Sequence, residues 1–262
     1  MMGYFALLMT VLIGLFSGMA MGLTGSSGVL IVVPLLNLLL NFSIHESIGT
    51  SLLVDIMASL AVSYTYYRHG NMNVKSGIWV AIGSVLGAQL GTLFAFGMPE
   101  AGLGGAFGIF LIVVGVLMWK KGLSREAIAS RVKGIVRFEN RNQQIAVAGI
   151  LGLIVGINTG IFGAGGGIWI LLILIFVLNL SLHEAIGTST LMMAITACSG
   201  AIGYASHASL SLRGGLVVGF GAAVGGIASA RFANKSTERA LTKVVSGLFV
   251  FLGVVMTILR LI

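Results

Sequence analysis

Ser43-Ile44-His45-Glu46-Ser47-Ile48-Gly49-Thr50-Ser51 returns as Ser181-Leu182-His183-Glu184-Ala185-Ile186-Gly187-Thr188-Ser189, a displacement of 138 positions from Ser43 to Ser181. The same displacement carries Gly14, Gly18, Gly22, Gly25 and Gly28 onto Gly152, Gly156, Gly160, Gly163 and Gly166 without a gap. It also carries Asn41, Tyr66, His69, Gly77, Gly83 and Gly87 onto Asn179, Tyr204, His207, Gly215, Gly221 and Gly225. The chain is therefore a duplicated unit of more than a hundred residues. In an apolar protein such a duplication is the architecture of secondary transporters, whose substrate sites lie between the two halves.

Composition sets the class. Of 262 residues, 57% are hydrophobic and 8% charged, against about 25% charged in soluble chains. Mean hydropathy is +1.07. Runs such as 145–180 and 241–262 carry almost no charge, which lipid requires and water would not tolerate. The 39 glycines and two prolines suit close helix packing in a membrane and exclude collagen-like or linker sequence. A lone Cys198 rules out a disulfide framework. No His/Cys group has metal-ligand spacing, the methionines read as apolar filling, and neither a metal nor a cofactor is expected.

The apolar segments run over 4–22, 29–41, 47–67, 76–97 and 101–119, then over 144–160, 167–180, 185–206, 214–232 and 240–261. A span needs about 20 residues, so 29–41 and 167–180 are too short to cross comfortably. Each follows a glycine cluster, Gly22-Leu23-Thr24-Gly25-Ser26-Ser27-Gly28 or Gly160-Ile161-Phe162-Gly163-Ala164-Gly165-Gly166-Gly167. This predicts a hairpin whose turn lies deep in the bilayer, where protein or a watery cavity must satisfy its backbone. The fold class is thus an all-α polytopic membrane protein. Each repeat is a glycine-tipped, re-entrant-like helix hairpin plus three transmembrane helices.

Charge orients the spans. Seven Lys and Arg residues in 120–143, against Glu126 and Glu139, place that linker in the cytoplasm. Stepping from it puts the 68–75 and 232–239 turns inside, and of fifteen Lys and Arg only Arg213 and Arg260 fall outside. The basic balance of +8 is thereby explained without nucleic acid. Each half then holds an odd number of crossings, so residues 1–119 and 144–262 form inverted repeats with both termini extracytoplasmic. Because the N-terminal segment aligns with internal residues 144–160, it reads as structure rather than a cleaved leader.

Short helices beginning near Val29 and Gly167 leave unpaired N–H groups and partial positive charge at their starts. Aimed at one cavity from opposite sides, two such ends would bind an anion without a fixed cation. The expected donors are Gly25, Ser26, Ser27 and Gly28 with Gly163, Gly165, Gly166 and Gly167. Thr24, Asn158, Thr159, Thr50, Ser51, Thr188 and Ser189 are second-rank side-chain contributors. Ser43 with Glu46, and Ser181 with Glu184, match capping boxes, and His45 and His183 read as wetted polar tips. Asp55, whose counterpart is Met193, is the acid well inside a span. It is a candidate for proton coupling, or else a hydrogen-bond acceptor near the hairpin. Gly25-Ser26-Ser27-Gly28 also fits the Gly-x-Ser-Gly of a rhomboid intramembrane protease, although the second copy, Gly163-Ala164-Gly165-Gly166, has Gly165 where the first has Ser27.

These motifs resemble the sulfite exporter (TauE/SafE) family of bacterial and archaeal membrane proteins. The likeness runs from Gly14-Leu15-Phe16-Ser17-Gly18 through Gly25-Ser26-Ser27-Gly28, Pro34-Leu35-Leu36 and His45-Glu46-Ser47-Ile48-Gly49-Thr50-Ser51. In the second half, Gly163-Ala164-Gly165-Gly166-Gly167 and Ala185-Ile186-Gly187-Thr188-Ser189 carry it, with Leu172 departing where the first half has Pro34. The resemblance implies a plasma-membrane exporter of small sulfur-containing anions such as sulfite, thiosulfate or an organosulfonate. The expected activity is alternating-access transport of such an anion across the lipid bilayer. A passive anion channel and a Ser27 protease are the alternatives.

Overall fold

The computed structural model describes residues 4–24, 27–121, 140–164, 166–232, 247 and 249–258, and every regular element among them is a helix. In chain order these are α1 (Tyr4–Thr24), α2 (Val29–Leu39), α3 (Ile44–Arg68), α4 (Val74–Phe96) and α5 (Glu100–Lys121). The second half supplies α6 (Arg141–Phe162), α7 (Gly167–Phe176), α8 (Leu182–Ser206) and α9 (Leu212–Phe232). The described part of α10 is Phe249–Ile258. Residues 122–139 of the basic linker lie outside the described residues.

Among the described residues, five helical stretches are long and apolar enough to cross a membrane: Ile44–Arg68, Val74–Phe96, Glu100–Leu117, Arg141–Phe162 and Glu184–Ser206. With 11 and 10 residues, α2 and α7 extend only about 15–17 Å at 1.5 Å per residue, roughly half a hydrocarbon core. Both are wrapped by protein: Val29 to Val33 and Leu36 of α2 are buried, as are Ile170, Leu171 and Ile173 to Ile175 of α7. Each stops soon before an asparagine with φ of 54°, Asn41 or Asn179, a left-handed conformation that asparagine tolerates. A serine N-cap then opens the next long helix, Ser43 for α3 and Ser181 for α8.

Outside and inside are reversed relative to a soluble bundle. Leu86, Leu93 and Phe94 of α4 and Leu216 and Phe220 of α9 are exposed. Glycines and hydroxyl residues line the helix crossings, since without a hydrophobic force between helices in lipid, association depends on close backbone packing. A methyl group on Gly14 of α1 would strike the backbone of Val218 in α9, and one on Gly18 that of Ala222. On Gly152 and Gly156 of α6 it would strike Val80 and Ser84 of α4. Shifted by the repeat displacement, the first pair of contacts becomes the second.

Reciprocity extends to hydrogen bonds. Ser211 N–H donates to Thr50 Oγ1 at 3.0 Å, and Asn73 N–H donates to Thr188 Oγ1 at 2.9 Å. Gly49 abuts Ser209 and Tyr204, while Gly187 abuts Asn71 and Tyr66. Along α3 and α8 the partners run in opposite order, Gly49 with Tyr204, Leu52 with Gly200 and Tyr66 with Gly187, so these equivalent helices pack antiparallel. Mutual contacts of this kind are what a two-fold relation between similar units produces.

Candidate functional site

Local chemistry positions the two hairpin tips. At the first, α2 begins after Gly28, which has no side chain to cap it. Ser27 serves instead: its hydroxyl accepts from Val29 N–H at 3.3 Å and donates to Asp55 Oδ2 at 2.7 Å. At the second, α6 ends in Gly163 with φ of 64°, the left-handed cap conformation that glycine adopts without steric penalty. Gly163 N–H closes the turn on Thr159 O at 2.7 Å. Gly166 then precedes α7, again with no side-chain cap. Both short helices thus start at glycines, which offer their first N–H groups no side-chain cap of their own.

The tips converge on α3. A methyl group on Gly163 would lie 3.1 Å from Ser51 Oγ and 2.9 Å from Ile48 Cγ2, while Ser27 of the other tip holds Asp55. Ser51 and Asp55 are one helical turn apart, about 11 and 17 Å along a helix about 37 Å long. Asp55, Ser51 and Ser27 are all buried. Val29 of the first tip and Ala164 of the second share one apolar cluster with Ile48 and Leu52. Tyr204 of α8, fully buried, donates its hydroxyl to Gly160 O at 3.1 Å and steadies the end of α6.

Of the residues expected from sequence, Ser27, Gly28, Ser51, Asp55 and Gly163 come together here. Gly166 and Gly167 open α7, and the Gly166 backbone packs against Val155, the counterpart of Ser17 against Gly28. Thr159 is buried within the second hairpin and donates to Val155 O at 2.9 Å. Asn158 instead lines an apolar groove of about 500 Å³ between α5, α6 and α7, with Phe110, Ile154, Trp169 and Phe176. Thr50 and Thr188 tie α3 and α8 to the turns of the opposite half, and Ser189 donates to Ile186 O at 3.0 Å within α8. Gly25, Ser26 and Gly165 lie outside the described residues, as do the side chains of Thr24 and His183.

One polar cluster departs from the sequence expectation. His45 is not a wetted tip: at 8% exposure its Nδ1 faces Glu100 Oε1 at 2.8 Å and its Nε2 faces Ala95 O at 3.0 Å. Glu100 Oε2 also accepts from Ile44 N–H at 2.9 Å. An acid at the start of α5 thus completes the start of α3, a favourable position relative to the helix dipole. The expected capping box is complete at Ser181 and Glu184. At Ser43 only the serine half is present, accepting from Glu46 N–H at 3.1 Å. Phe96 stacks on both His45 and His207, with ring centroids 4.8 and 4.0 Å apart. Among the described residues no group of His, Cys, Asp and Glu could hold a metal ion.

Comparison with known proteins places this arrangement. The family model for the sulfite exporter TauE/SafE matches residues 10–256. The chain is 28% identical over 235 residues to the probable membrane transporter protein YdhB of Bacillus subtilis, covering 87% of this chain and 90% of that one. It is 25% identical over 258 residues to the probable membrane transporter protein YunE of the same organism, covering 93% and 94%. To the probable membrane transporter protein MJ0441 of Methanocaldococcus jannaschii it is 28% identical over 200 residues, covering 74% and 70%. No solved structure matches the chain. With nearly every residue inside the family match, this protein belongs to the sulfite exporter TauE/SafE family and is a membrane transporter.

Proposed function

We propose that this transporter carries a small sulfur-containing anion, of the sulfite, thiosulfate or organosulfonate class, across the plasma membrane by alternating access. The observation that carries the reading is the convergence of both glycine tips on Ser51 and Asp55, one turn apart on α3. The N–H groups at the starts of α2 and α7 would receive the anion's oxygens, since helix starts favour negative charge. Ser27 and Ser51 would add hydroxyls that adapt to oxyanion geometry.

The two halves are proposed to be inverted repeats that rock around this site. Antiparallel packing of α3 against its equivalent α8, with the reciprocal crossings of α1 with α9 and of α4 with α6, supports that arrangement. Each hairpin would be re-entrant, because α2 and α7 are too short to span and are encased by protein. The basic linker would face the cytoplasm, along with exposed Arg68 and Lys75 at the α3–α4 turn, leaving both termini outside. The family description and the anion-favouring tips support a sulfite-like substrate moving outward.

A passive anion channel would share the same electropositive tips and is distinguished by flux far above carrier turnover. The protease alternative gains no support from Ser27, whose hydroxyl donates to a carboxylate and not to the imidazole that Ser–His chemistry needs. Uptake of labelled sulfite, thiosulfate and organosulfonates into proteoliposomes tests the proposal. Gly28→Leu and Gly166→Leu should abolish flux while the protein still inserts. Undiminished flux in both variants would reject the site.

A further inference from the structure

Asp55 belongs to a longer pattern on α3. Ser47, Ser51, Asp55, Ser59 and Ser63 recur at every fourth position, and each is no more than 4% exposed. At 100° per residue the first four fall within an arc of about 120°, and the set extends about 24 Å along the helix. That arc faces the hairpins: Ser27 meets Asp55 and Gly163 meets Ser51, whereas Leu53 and Met57 on the opposite side meet Gly215 and Gly219 of α9.

Two members of the set are not satisfied by any described residue. Ser51 and Ser63 donate to the carbonyls of Ile48 and Leu60, the usual resort of a serine inside a helix. The hydroxyls of Ser47 and Ser59 are buried and have no partner among the described residues, an arrangement rare enough to call for water. The duplication supplies an internal control. The equivalents on α8 are Ala185, Ser189, Met193, Ala197 and Ala201, all buried. The repeat therefore packs this helix well with one of the four hydroxyls, Ser189, and without the acid. The first copy keeps polar groups that the fold does not demand.

We infer that this face of α3 is a hydrated track through which Asp55 exchanges a proton with the aqueous phase, and that the proton moves together with the anion. The coupling rests on the reading of the tips as the anion site; the track does not. Other charged groups on the elements packed against α3 stand at helix ends: Glu100, Lys120 and Lys121 of α5, Glu184 of α8, His207 just beyond it, and Arg213 and Arg231 of α9, with Arg141 at the start of α6. Near the track's first serine, His45 and the half-exposed Glu100 form a titratable pair. Both ring nitrogens of His45 are engaged there, Nδ1 by Glu100 Oε1 and Nε2 by Ala95 O. Asp55 alone places a carboxyl midway along α3.

Cys198 is the only cysteine, so Cys198→Ala gives a cysteine-free protein for accessibility measurements. Single cysteines at Ser47 and Ser59 should react with a charged methanethiosulfonate at least about tenfold faster than those at the equivalent Ala185 and Ala197, because only a hydrated thiol ionises and reacts. Equal, slow labelling at all four positions overturns the track. In the full-length protein, lowering the pH should raise an infrared band of a protonated carboxyl that Asp55→Asn removes. A band indifferent to that substitution overturns the proton assignment. Neither measurement needs a transported anion. If both succeed while sulfite, thiosulfate and organosulfonates show no flux, the anion reading fails and the track survives. If flux is present but the cysteines are silent, the track fails.

Discussion

Replacing Asp55 by asparagine should uncouple anion affinity from pH. Ser27 Oγ lies 2.7 Å from Asp55 Oδ2 and 3.3 Å from Val29 N. An anion oxygen accepting from the first N–H groups of α2 at about 3 Å would sit roughly 5–6 Å from the carboxylate. At an effective dielectric constant of about 20, unit charges at that separation repel by about 3 kcal/mol, or about a hundredfold in affinity. In the unsubstituted protein the ionised carboxyl therefore opposes the anion and the protonated one does not, so binding should tighten as pH falls. The asparagine amide carries no charge at any pH. The Asp55→Asn protein should bind with one affinity throughout, near the value the original reaches in acid. Scintillation proximity binding of a labelled sulfonate suits the measurement, since the probe's own charge is constant over the range. Parallel pH curves for the two proteins would refute the electrostatic reasoning, and so would a loss of binding in the variant at every pH.

Other consequences concern the frame. Thr50→Val and Thr188→Val each remove the acceptor for one turn N–H, Ser211 or Asn73. Each should cost about 1 kcal/mol, nearly equally, and the double variant should lose the sum; thermal unfolding in detergent would expose unequal losses. Gly18→Leu and Gly156→Leu drive a side chain into the backbones of Ala222 and Ser84. Each should lower stability by at least about 1–3 kcal/mol, and a neutral result would mean that the helices do not cross as described. Glu100→Ala strips the acceptor from Ile44 N–H and His45 Nδ1. It should cost about 1–3 kcal/mol, whereas Glu46→Ala, which leaves the Ser43 bond to the backbone intact, should cost less in the same melts. Ser27→Ala should retain measurable flux, because Val29 N–H and its neighbours remain, and membrane-peptide cleavage present in the unsubstituted protein and lost in this variant would revive the protease.

Much of the frame is legible in the residues. Segment limits read from hydropathy for α1 to α9 fall within a few positions of the helices because lipid forces long apolar runs to be helical, and the limits of 240–261 lie outside the described residues. Duplication locates the two short helices α2 and α7, because a glycine cluster before a short apolar run can be compared with its copy. The same comparison points to Asp55, which has no acidic counterpart at Met193. Less legible are pairings between distant residues. Ser27 and Asp55 are 28 positions apart and His45 and Glu100 are 55 apart, and no local pattern encodes either contact. His45 reads as interfacial because histidines beside a capping serine usually are, yet Glu100 from α5 buries it. Asn158 reads as an oxyanion ligand from its place beside Thr159. Helix geometry turns neighbouring positions about 100° apart, so Thr159 is buried inside the hairpin while Asn158 lines the apolar groove.

The most direct test of the central claim is an anomalous-scattering map of the protein crystallised with selenite, a heavier relative of the proposed substrate. A selenium peak within hydrogen-bond reach of the backbone at Gly28–Val29 and Gly166–Gly167, beside Ser51 and Asp55, is the predicted result. A peak confined to the ends of the long helices α3, α4, α8 and α9, or in the groove lined by Asn158 and Trp169, would contradict an anion held between the two glycine tips.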